Sequence, residues 1–154
     1  MDQGRGPGRR LLVVVLLLTV FGCSARAGEQ PSASAWKEQA DQVLGAAEGS
    51  LGTAQLLLDA ELRKKIPTSY AVVGMQDALT ALEKKAQTFL EARPAPGTSG
   101  PDRQAVEAVL SAQVLLHTAL DAASGSSSAD RRTSLEQVRR AHDAVEKLRK
   151  QVAR

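Results

Sequence analysis

With 154 residues, one cysteine and a formal charge of +3, the chain has the size of one domain, no internal disulfide, and too little net charge for a global polyanion binder. Aromatic residues make up only 3%, which argues against stacking of bases or sugars as the main mode of recognition. Abundant Ala, Leu, Glu, Gln, Lys and Arg, with almost no β-branched alternation, point to helix throughout.

The first segment, residues 1–22, starts with Arg5, Arg9 and Arg10 and continues as an apolar run from Leu11 to Phe21. That run is about a dozen residues, near the 7–15 of a secretory signal and short of the ~20 that a membrane-spanning helix needs. The Arg9-Arg10 pair lacks the neighbours of a twin-arginine signal, so the ordinary Sec route is expected. The only cysteine follows at once. Val20-Phe21-Gly22-Cys23 resembles the lipobox of bacterial lipoproteins, with Phe21 where a small residue is usual. The resemblance implies cleavage between Gly22 and Cys23, diacylglycerol and a fatty acyl group (palmitate) on Cys23, and a protein held by that lipid on the outer face of the cytoplasmic membrane. Ala25-Arg26-Ala27 supplies a competing A-x-A site, whose use would release a soluble protein starting at Gly28. In a third reading Cys23 is simply a small apolar residue closing the run. Loss of Arg5, Arg9, Arg10 and Asp2 with the leader takes 20 basic and 17 acidic residues to 17 and 16, a charge of +1.

Residues 23–33 are small and polar and include Pro31, the composition of a flexible tether. The domain proper is expected over 34–154, as helices near 34–65, 69–92, 101–123 and 129–153. Three breaks rich in Pro, Gly and hydroxyl residues separate them, at 66–69, 93–100 and 124–128. In the first helix Trp36, Ala40, Val43, Ala47, Leu51, Ala54 and Leu58 share a face, and Gly49 and Gly52 weaken the middle. Leu56-Leu57-Leu58 with Leu62 widens that face, more readily as core than as a partner-binding strip. The second helix carries Val72, Met75, Leu79, Leu82, Ala86 and Phe89 at 3-4-3-4-3 spacing. The third opens at Pro101-Asp102, suited to a helix start, and shows a wide apolar face of Val106, Val109, Leu110, Val114, Leu116 and Leu120. The fourth presents Val138, Ala141, Val145, Leu148 and Val152, with Thr133 and Glu136 at capping-box spacing. Short connections make antiparallel neighbours, so the expected fold is an all-α, up-down-up-down four-helix bundle. A long helical hairpin that dimerises through its seam is the runner-up.

Chemistry is sparse in this pattern. His117 and His142 each have a carboxylate four residues on, Asp121 and Glu146. In antiparallel helices the two histidines lie about 12 Å apart along the axis, too far to share one metal. No metal ligand set is therefore assigned. No G-x-S-x-G, S-x-x-K, C-x-x-C, Walker A or dinucleotide fingerprint occurs, and the acids fall on polar faces, so no catalytic residue is assigned and a non-enzymatic protein is expected. The fourth helix is the basic element: Arg131, Arg132, Arg139, Arg140, Lys147, Arg149, Lys150 and Arg154 face only Glu136, Asp143 and Glu146. Arg131, Arg132, Arg139, Arg140, Lys147 and Lys150 are the candidate contacts to anionic lipid head groups or an acidic envelope polymer. Glu136–Arg140, Asp143–Lys147 and Glu146–Lys150 are also i,i+4 pairs in the favourable acid-first order, the pattern of a solvated face. The expectation is a lipid-anchored binding or scaffolding protein that meets an envelope protein or polymer and no nucleic acid, with its oligomeric state open. The alternative is a small-ligand or metal carrier with an interhelical pocket.

Overall fold

A computed structural model of the chain describes residues 32–92 and 100–153. Gly22, Cys23, the 1–22 leader and nearly all of the 23–33 tether lie outside the described residues. Among the described residues four helices follow one another: α1 (Ala33–Leu62), α2 (Thr68–Glu91), α3 (Gly100–Gly125) and α4 (Ser128–Val152). Ser32 caps α1, its hydroxyl accepting from the Ala35 amide at 3.2 Å. The helix closes three residues before the expected end. The Lys64 amide donates to the Glu61 carbonyl and the Lys65 amide to the Ala60 carbonyl, both at 2.8 Å, a Schellman closure with Lys64 in the left-handed region at φ 57°. Pro67, extended, then starts α2. The capping box of α4 is Ser127 with Asp130, not Thr133 with Glu136. Thr133 instead bonds back to the Ala129 carbonyl inside the helix.

The helices form an all-α, up-down-up-down four-helix bundle. Antiparallel pairing is visible in the cross-links: Ser50 of α1 donates to the Ala78 carbonyl of α2, and Asp41 and Asp59 of α1 meet Arg149 and Arg139 of α4. Across one diagonal α1 also touches α3, whereas α2 and α4 stand apart. Small residues explain the short diagonal. Ala40, Ala47 and Ala54 recur every seventh residue of α1, as do Ala105, Ala112 and Ala119 in α3, and all six are buried. Between them Leu44, Leu51, Leu58, Val109 and Leu116 fill the seam, the coiled-coil alternation of small and large side chains. Trp36 stacks on Phe89 of α2, ring centres 4.4 Å apart, and its indole N–H donates to Asp102 of α3 at 2.8 Å. One aromatic residue thus ties three helices at the end where α1 begins.

Two apolar expectations need correction. Leu110 and Val114 are 45% and 64% exposed. The buried stripe of α3 is Ala105, Val109, Ala112, Leu116, Ala119 and Ala123, and at about 100° per residue Val114 lies about 140° around the helix from Val109. In the leucine run, Leu58 is core and Leu57 half-buried, but Leu56 is 70% exposed. Gly49 faces open space on a continuous helix, with nothing near the position a Cβ would take. Gly49→Ala is therefore expected to stabilise the bundle by about 0.5–1 kcal/mol through lower unfolded-state entropy, read as a higher urea midpoint with unchanged slope.

Candidate functional site: the charged seam between the first and last helices

Polar chemistry concentrates where α1 meets α4. Gly45 and Gly52, one heptad apart on α1, leave notches for two α4 side chains. A Cβ at Gly45 would sit 3.1 Å from the Arg149 guanidinium, and one at Gly52 3.5 Å from the His142 ring. Arg149 uses its notch to reach both flanking acids, donating through Nε to Asp41 at 2.9 Å and through Nη1 to Glu48 at 3.1 Å. Hydrogen bonds from the guanidinium to Asp41, then to Glu48, push the Arg149 pKa above its ordinary value. The next residue, Lys150, bonds Glu146 one turn back, which lowers the Glu146 pKa and raises that of Lys150.

His142 and Glu146 share a face as their spacing predicts, and Asp143 joins them. One ligand atom from each of the three falls within 4.8 Å of the others. Sequence reasoning pairs His142 with Glu146 but leaves out Asp143. Glu146 already holds the Lys150 ammonium, and Asp143 stands out in solvent. His117, expected beside Asp121 on its own helix, instead approaches Glu83 of α2, with Nε2 3.3 Å from the carboxylate.

At the end where α1 finishes, the acids do not all lie on polar faces. Glu61 is 8% exposed and is bonded by Arg131 of α4 and by the Thr68 hydroxyl of α2. Arg131 also donates to the Ser126 carbonyl at 2.9 Å, so one ion pair pins both turns at this end of the bundle. Glu61 Oε2 and Arg131 Nε are buried without a partner of their own. Beside it Asp59 is shared by Arg63, at 2.8 Å, and Arg139, at 3.4 Å.

The six basic residues expected to contact anions therefore divide. Arg131, Arg139 and Lys150 are engaged with Glu61, Asp59 and Glu146. Arg132, Arg140 and Lys147 are exposed and make no ion pair among the described residues. Of the expected i,i+4 pairs, Glu146–Lys150 forms; Arg140 bonds the Glu136 carbonyl instead of its carboxylate. The sequence reading passed over Arg63-Lys64-Lys65, which the contact between Glu61 and Arg131 brings to the same end as Arg132. Antiparallel pairing of the first and last helices is the signal that would have found it. Between α3 and α4 runs an open groove of about 390 Å³ lined by Ala108, Ala112, Ala141, Ala144 and Leu148, with Lys147 at its edge.

No known protein family, curated protein or solved structure matches this chain.

Proposed function

We propose that the protein is a lipid-anchored, non-enzymatic binding or scaffolding protein on the outer face of a bacterial cytoplasmic membrane. The observation that carries this reading is the lone cysteine placed directly after a short apolar leader, in Val20-Phe21-Gly22-Cys23. Lipidation gives that cysteine a use in an exported chain, where a free thiol is otherwise a liability. The capped start of α1 at Ala33 supports it as well, because residues 24–32 then form a short link between lipid and bundle. The bundle is thus confined near the surface, and its outer faces are what it offers to a partner. The seam supports binding over catalysis, since Asp41, Glu48, Asp59 and Glu61 are engaged by arginines that join helices.

Cys23→Ser is the direct test. The parent is expected in the membrane fraction with a mass showing a chain that starts at Cys23 and carries acyl groups. The variant is expected to leave that fraction, and its retention there would overturn the anchor. A parent mass starting at Gly28 would establish ordinary secretion instead. The groove between α3 and α4 favours a second reading, a carrier of a small apolar ligand. A small molecule retained in native mass spectra of protein taken from its own envelope would promote it.

A further inference from the structure

We propose that the end of the bundle formed by the α1–α2 turn and the start of α4 binds an anionic polymer, one that carries phosphate or carboxylate groups at regular intervals. Six cations gather there: Arg63, Lys64, Lys65, Arg131, Arg132 and Arg139. Against them stand Asp59, Glu61, Asp130, Glu136 one turn on from Arg132 and, one turn before the end of α3, Asp121. Three of these carboxylates are already committed. Asp59 serves two arginines, Glu61 is consumed by Arg131, and Asp130 closes the capping box with Ser127. Lys64, Lys65 and Arg132 are left exposed, with no ion pair among the described residues.

One of these three cations sits where folding alone disfavours it. Arg132, past the first turn of α4, is not that one, because Asp130 already supplies the acid that the helix start favours. Lys64 occupies the left-handed position of the Schellman closure, where glycine is the unstrained residue. A local rule broken in favour of positive charge, beside two further exposed cations, points to a use for that charge.

The cations lie on open surface across two elements, so a single small anion would touch only one or two of them. A repeating polyanion engages all three and releases their counterions together. The lipid surface is the less fitting partner, an argument that rests on the anchor proposed above. Residues 24–32 enter at the start of α1, and the thirty residues of that helix put its far end about 45 Å away.

The test uses the full chain in neutral detergent, titrated with fluorescently labelled long-chain polyphosphate. Binding is expected to weaken with salt at a log–log slope of about −2, the value for three cations on a flexible polyanion. The double variant Lys65→Glu, Arg132→Glu is expected to lose at least tenfold in affinity. Arg140→Glu with Lys147→Glu, which changes free cations elsewhere on α4, is expected to lose less than threefold. Lys64→Gly separates binding from folding, because it should raise the urea midpoint while weakening binding two- to threefold. Parental affinity in the Lys65, Arg132 double variant overturns the proposal. So does an absence of binding to polyphosphate together with binding of the Cys23→Ser chain to phosphatidylglycerol vesicles. Neither readout needs the lipid on Cys23, so this inference and the anchor fail separately.

Discussion

Leu82→Asp is expected to unfold the bundle. Leu82 lies in the middle of α2 with no exposed surface, inside the continuous core that joins all four helices. A carboxylate there has no buried cation to meet, and the penalty for an unpaired buried charge is several kcal/mol after relaxation. The loss of leucine packing adds about 2–5 kcal/mol. Together these rival the roughly 5–15 kcal/mol by which a domain of this size is stable. Circular dichroism should show loss of helix, and the sole tryptophan, Trp36, should lose its buried emission. A variant that melts with the parent would refute the register of α2 in the core.

The second large effect belongs to the buried ion pair, and its sign depends on how many partners are removed. Arg131→Leu leaves the Glu61 carboxylate buried with only the Thr68 hydroxyl, and is expected to cost about 3–5 kcal/mol. Glu61→Leu is expected to cost less, about 2–3 kcal/mol, because the 21%-exposed Arg131 side chain can turn toward water. The double variant Glu61→Leu, Arg131→Leu should recover most of the loss, since two apolar side chains replace two desolvated charges. Urea denaturation of the four proteins closes the cycle. Additive losses would mean that the two groups do not interact in solution. Recovery would mean that the pair serves chiefly to position the two turns, and through them the cations of the proposed polymer-binding end.

The aromatic cluster and the charged seam show why some of this could be read in advance and some could not. Trp36 and Phe89 fall on the predicted faces of their helices, and both prove buried. That they stack on each other, and that the Trp36 N–H finds Asp102, depends on how three helices come together at one end. Leu110 and Val114 were misplaced because α3 is apolar around much of its circumference. Periodicity then offers several stripes, and the alanines that permit close approach to α1 select one of them. Glu61 was misplaced for a related reason: its cation lies seventy residues on in the chain.

The local pattern of the chain is enough to determine the helical class, the four elements to within three residues at each end, and the seams of α1, α2 and α4. These follow from the spacing of apolar residues, the caps and the Pro and Gly breaks, all of which act within a few residues. It also carries the short apolar run that ends at Cys23, on which the proposed location rests. The tertiary structure alone decided which diagonal of the bundle closes, which carboxylate is buried, and which basic residues remain free. Those depend on which helix each face meets, because burial and ion pairing are properties of pairs of surfaces brought together by the fold.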